Sequence, residues 1–88
     1  MSNITMSDKP RLTNEELRTR MTQRIRKEIK EREWKFKEVA DWMGVSHSTI
    51  TQMLSGKVYP TMFQLYQLAD LFEMFVDQFF FDDLDKEE

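Results

Sequence analysis

The chain has 88 residues, 40% of them hydrophobic and 33% charged, with 2 Gly, 2 Pro, no Cys and one His. That supports one small helical domain and excludes a disulfide framework, a thiolate or multi-histidine metal site and a cysteine nucleophile. The net charge of −3 is unevenly placed: residues 1–37 hold 11 Lys/Arg against 6 Asp/Glu, a balance of +5, and residues 38–88 hold 2 against 10, a balance of −8.

Such asymmetry fits a basic binding side with an acidic far side, and equally a solvated helix followed by an acidic tail. Residues 1–12 are polar, lack a period and have no signal-peptide hydrophobic stretch, so they read as a flexible N-terminal arm. No apolar run exceeds three residues. A transmembrane helix is therefore not expected, and a cytoplasmic protein that meets no membrane is. At Thr13 a first helix begins: Thr13 caps it, Glu16 completes a capping box, and Leu12 and Leu17 form a hydrophobic staple. Leu17, Met21, Ile25 and Ile29 then recur every four residues, which predicts a helix from Asn14 to Glu31 or Arg32. The seven basic residues from Arg18 to Arg32 read as its solvated face, paired with Glu28 and Glu31.

A second helix is predicted from Phe36, with Val39, Ala40 and Met43 on its apolar side and Gly44 as its stop. Trp42 falls on its outer side and Trp34 in the loop before it, both expected to pack on lysine stems. Ser46 caps a short third helix, His47 to Leu54, which Gly56 closes. After the loop Lys57 to Pro60, Thr61 caps a fourth helix with Met62, Leu65, Leu68, Ala69 and Phe72 on one face. The segment Phe75–Phe81 is expected to form a short fifth helix, and residues 82–88 an acidic tail. The reading is one all-α, five-helix domain over residues 13–81. Phe63, Phe72 and Phe79 are assigned to its core. Phe75, Phe80, Phe81 and Tyr66 cannot all be buried in so small a monomer. An apolar cluster left at that end is expected to be an interaction surface, with a second copy as the partner.

Residues 36–55 carry the functional signal. A helix-turn-helix for DNA needs a small residue where its helices cross, a glycine in the turn, an apolar plug after it, and a second helix with one apolar and one polar face. Ala40, Gly44, Val45, and Ile50 with Met53 meet those requirements at the required offsets. The opposite face of the third helix carries His47, Ser48, Thr51 and Gln52, without Glu or Lys. An ordinary αα-corner has no need of such an uncharged polar face.

The run FKEVADWMGVSHSTITQMLSGK resembles the helix-turn-helix of the lambda-repressor-like, or Cro/CI (XRE), family of bacterial and phage regulators. The likeness extends from about Lys9 to Phe80. It takes in DKPRLTNEEL as the arm and first-helix start, PTMFQLYQLADLF as the fourth helix, and VDQFF as the fifth. The resemblance implies a five-helix fold in a bacterial or phage-encoded protein. It also implies dimeric binding to palindromic double-stranded DNA operators, and transcriptional control, usually repression. Three positions depart from the pattern. Phe36 stands where many members have a phosphate-binding Gln, Glu73 and Phe75 stand where Gly and Ser are usual, and only Lys57 is basic in the loop after the third helix.

On this reading the first turns of the third helix enter the major groove. His47, Ser48, Thr51 and Gln52 are the candidate base contacts, with Gln52 suited to pair with adenine. Lys35, Lys37 and Lys57 are the candidate phosphate contacts, and Thr61 offers backbone N–H groups at a helix start. Lys9 and Arg11 would wrap the duplex from the arm, by analogy with the lambda repressor. Phe75, Phe80 and Phe81 are the candidate dimer interface. Neither a metal nor a cofactor is expected. Two alternatives keep the fold: an antitoxin that neutralises a toxin and represses its own promoter, and a protein-binding module without DNA binding. An enzyme is the weakest reading, because no carboxylate spacing suggests a catalytic pair.

Overall fold

Four helix starts and four helix ends set the architecture. The computed structural model describes residues 12–81, which form α1 (Asn14–Glu31), α2 (Phe36–Met43), α3 (His47–Leu54), α4 (Met62–Phe72) and a 3-10 turn (Val76–Phe79). No strand occurs among the described residues, and none of their helices is long and apolar enough to cross a membrane. Reciprocal capping boxes open α1 (Thr13 with Glu16) and α4 (Thr61 with Gln64), while the Ser46 hydroxyl accepts the Thr49 N–H at the start of α3. Each cap satisfies N–H groups that a helix start otherwise leaves unbonded.

All four helices end alike. A residue in the left-handed conformation follows each one, and two backbone hydrogen bonds close the end in the pattern of the Schellman motif. After α2, the Val45 N–H donates to the Ala40 carbonyl at 3.0 Å and the Gly44 N–H to Asp41 at 3.2 Å. Glycine takes the left-handed position after α2 (Gly44, φ 75°) and α3 (Gly56, φ 81°). Glutamate takes it after α1 (Glu33, φ 56°) and α4 (Glu73, φ 57°).

The apolar stripes meet in one core: Met21, Ile25 and Ile29 of α1, Val39, Ala40 and Met43 of α2, Ile50, Met53 and Leu54 of α3, Leu65, Leu68, Ala69 and Phe72 of α4, and Phe79. Burying each large side chain is worth about 1.5–3 kcal/mol. Phe72 is the hub, edge-on to Phe79 and stacked with Trp34 at a centroid distance of 6.1 Å.

Several expectations are corrected here. The fifth helical element is a single 3-10 turn, so the described residues hold four α-helices rather than five. The chain reverses at Glu73 and has only Val76 to Phe79 before it leaves helical geometry. Phe63 is not a core residue: it is 74% exposed, because two residues before Leu65 is the opposite side of a helix with 3.6 residues per turn. Met62 shares the predicted stripe but is 64% exposed, at the first position of α4. Trp34 packs on Phe72 and beneath the Arg32 guanidinium (5.4 Å to the ring centre) instead of on lysine stems.

The basic face of α1 is not simply solvated either. Arg24 and Glu28 are buried, and Glu28 accepts from Arg24 Nε at 2.6 Å and from Arg32. Burial pushes the Glu28 carboxyl up, but the hydrogen bonds from Arg32 and Arg24 outweigh it and hold the group below the usual carboxylate range. Four arginines also donate to backbone carbonyls of other elements: Arg20 to Phe80 (2.8 Å), Arg24 to Gln78 (3.0 Å), Arg26 to Leu54 (3.1 Å) and Arg32 to Phe72 (2.8 Å). Leu54 and Phe72 are the last residues of α3 and α4, where carbonyls lack helical partners and carry negative partial charge. The arginines of α1 and Arg32 at its C-cap thus tie the later helix ends to the first helix.

Candidate nucleic-acid interface

The junction between α2 and α3 is three residues long: Gly44, Val45 and Ser46. Gly44 has φ 75° and ψ 30°, and a Cβ placed on it would meet nothing within 4 Å. Glycine is favoured here by backbone conformation and not by lack of room. Val45 is half-buried against the core, and Ser46 then starts α3 at once. Ile50, Met53 and Leu54 fix α3 by burial. The opposite face of that helix is thereby turned outward on a rigid support.

That outward face carries the four side chains predicted to read bases. His47, Ser48 and Thr51 are exposed and Gln52 is half-buried. Thr51 Oγ1 donates to the His47 carbonyl at 3.1 Å, leaving the oxygen lone pairs and the methyl group for a ligand. Gln52 Nε2 lies 3.4 Å from Ser48 Oγ, so these two side chains sit side by side. The α3 sequence HSTITQML contains no Asp, Glu, Lys or Arg. Donors, acceptors and a methyl on an uncharged face are what base edges in a major groove can pair with.

The His47 imidazole has one ring neighbour among the described residues, Phe36, at a centroid distance of 6.4 Å and a tilt of 36°. Phe36 opens α2 and His47 opens α3, so the first residues of the two helices touch. Phe36 thus lies beside one of the residues predicted to contact bases.

Lys35 and Lys37 lie at the start of α2 and Lys57 follows α3; all three are exposed. Their side chains make no hydrogen bond or ion pair among the described residues, so their charges are available to a ligand. Thr61 differs from expectation in detail. Its own N–H donates to Gln64 Oε1 at 2.9 Å, and its hydroxyl accepts from the Gln64 N–H at 3.1 Å. The N–H groups left at that helix start belong to Met62 and Phe63. Phe75 is 79% and Phe81 43% exposed, whereas Phe80 is half-buried, edge-on to Phe81. Lys9, Arg11 and the acidic tail lie outside the described residues.

Sequence reading missed Arg26, which anchors the last carbonyl of α3, and Phe36 as the neighbour of His47. One signal was present for the arginine: α2, α3 and α4 have no basic residue in their last turns. Carbonyls at those ends invite cations from another element, and α1 is where the arginines are.

A family model described as a helix-turn-helix domain matches residues 3–73. No curated protein and no solved structure matches the chain significantly. The matched stretch takes in α1 to α4 and the whole α2–α3 junction. The chain therefore belongs to the helix-turn-helix domain family, consistent with a lambda-repressor-like domain and pointing to a DNA-binding regulator.

Proposed function

We propose that this chain is a sequence-specific transcriptional regulator, a repressor that binds a palindromic operator as a homodimer. One observation carries the reading: an uncharged, outward polar face on α3 (His47, Ser48, Thr51 and Gln52), held by a buried apolar face and a glycine turn. α3 enters the major groove by its N-terminal turns, where the His47 and Ser48 N–H groups are not used by the cap. Gln52 pairs with adenine, Ser48 and His47 donate or accept, and the Thr51 methyl meets a thymine methyl. Lys35, Lys37 and Lys57 take phosphates, as do the first N–H groups of α4.

Homodimer formation is supported by the apolar side chains left in solvent, above all Phe75 and Phe81, with half-buried Phe80 beside them. Two copies related by a two-fold axis would present two α3 helices to half-sites about one turn apart. Selection of bound duplexes from a random pool tests the reading. A palindromic motif is expected, and enrichment of no sequence would refute it.

A second reading, the antitoxin, is favoured by the outer side of α4, where Met62, Phe63 and Tyr66 are all more than half exposed. A protein partner covering these side chains would add to DNA binding without replacing it. Sedimentation of the isolated chain separates the cases. A stable dimer that loses its self-association in Phe75→Ser supports the homodimer, whereas a monomer at high concentration supports a different protein partner.

A further inference from the structure

One side of α1, crossed by the Arg26 tether to α3, is left open to solvent. A cleft of about 1250 Å³ opens between α1 and the end of α3, lined by Arg26, Lys27, Lys30, Phe36, Leu54 and Ser55. A recess of about 500 Å³ shares Thr22, Gln23 and Ser55 with it and continues to Arg18 and Tyr59. Together they form one trough along α1. From Arg18 to Lys30 its length is about 18 Å at 1.5 Å per residue.

We infer that this trough seats one strand of the DNA backbone, with Lys27 and Lys30 as its phosphate contacts. The inference rests on the DNA-binding reading and adds a binding wall to it. The trough meets the C-terminal end of α3 on one side and Phe36, the ring neighbour of His47, on the other. Ser55 and Leu54 belong to the last turns of α3, and Phe36 touches His47. A strand whose bases meet α3 has its phosphates beside that helix. Arg26 fixes the distance between the two, because its guanidinium holds the Leu54 carbonyl at 3.1 Å.

The cations of this region divide by residue type. Arg18 lies over the Tyr59 ring at 4.6 Å, and Arg20, Arg24, Arg26 and Arg32 are bonded to carbonyls. Lys27 and Lys30 are exposed and make no hydrogen bond or ion pair among the described residues. Three positions apart, they stand on one side of α1. An ammonium on a flexible stem meets a phosphate without a geometric requirement, which suits a row of phosphates. Trp34 is already stacked on Phe72 and Arg32, so Phe36 and Tyr59 are the aromatic walls of the trough. Glu31 and Glu33 line the cleft and Glu15 the recess, and Lys27 and Lys30 together with Arg18 and Arg26 leave the lining with a small positive excess.

The test compares the wild-type chain with the K27Q/K30Q and K27R/K30R variants on a random-sequence duplex across a salt series. Each neutralised phosphate contributes about 0.9 to the slope of log K against log salt. K27Q/K30Q is expected to be shallower by about 1.8, with an unchanged melting temperature and an unchanged selected sequence. K27R/K30R should keep the wild-type slope. An unchanged slope in K27Q/K30Q, while the wild type binds duplex, overturns the trough alone. A wild type that binds no duplex overturns this inference together with the DNA-binding reading. Loss of polyglutamate binding in K27Q/K30Q with the DNA slope intact would make the trough a protein seat and refute the inference as well.

Discussion

Helices α1 and α3 divide the work of this domain in a way that their charges do not suggest. α1 is long and rich in cations, and its arginines, with Arg32 just past its end, mostly bond to carbonyls at the ends of α3, α4 and the 3-10 turn. α3 is eight residues long and contains no Asp, Glu, Lys or Arg, and among the described residues the side chains of its polar face have no partner outside the helix except the Phe36 ring. The lesson is that net charge is a poor guide to where a nucleic acid would sit. Guanidinium groups bonded to helix-end carbonyls serve the fold, whereas Lys27, Lys30, Lys35, Lys37 and Lys57 make no hydrogen bond or ion pair among the described residues.

This division can be broken from either side, and the largest effect is expected on α3. Replacing His47, Ser48, Thr51 and Gln52 together by Ala should reduce the preference for specific over random DNA from about a thousandfold or more to near unity. The melting temperature should hardly move, since alanine is a good helix former and these side chains face outward. Competition binding alongside calorimetry reads both. A retained preference would remove α3 from the reading role.

The reverse pattern is expected on α1. Glu28→Gln leaves Arg24 and Arg32 without their buried carboxylate, which should cost about 1–3 kcal/mol in urea unfolding. The selected DNA sequence should stay the same. A variant that folds as well as wild type but selects different DNA would contradict the structural role of these arginines.

A pH titration of stability sharpens the same point. The Glu28 carboxyl is held below its usual range in the folded chain, so the folded state binds fewer protons than the unfolded one there. Its stabilising contribution is complete above the ordinary carboxylate range, around pH 5 and higher, and is lost as pH falls through the lowered value. Wild type should therefore lose stability on acidification more steeply than Glu28→Gln. Equal slopes would mean that the ion pairs do not matter to stability.

The smallest effects are expected at the helix ends. Glu33 and Glu73 occupy left-handed positions that cost a non-glycine residue about 1 kcal/mol or more. Part of that is offset by the chain freedom a glycine has when unfolded. Glu33→Gly and Glu73→Gly should each stabilise by about 0.5–1 kcal/mol. Gly44→Ala should destabilise by a similar amount, although a methyl group has space there. Thermal unfolding of the three variants checks all of these signs.

Helix positions were largely legible in the sequence because their signals are local. Thr13 with Glu16, Gly44, Ser46 and Thr61 mark boundaries that the structure places within a residue or so. The periodic stripe of α1 also identified Met21, Ile25 and Ile29 as core. What escaped depends on distant elements. Arg24 and Arg26 look like any exposed helix cation until the carbonyls of Gln78 and Leu54, 54 and 28 residues away, come within reach. Hydrophobicity alone places Phe63 in the core, whereas its angular position on α4 puts it on the exposed side, where the structure has it. The polar face of α3 was legible by residue type, but the Phe36–His47 contact required the actual crossing of two helices.

The reading assigned to α3 is tested most directly by paired selections of bound duplex DNA from one random pool, using wild type and Gln52→Ala. The account predicts a two-fold symmetric motif for wild type, with adenine at one position of each half-site relaxed in the variant. Identical motifs from both proteins, or no enriched sequence from wild type, would contradict it.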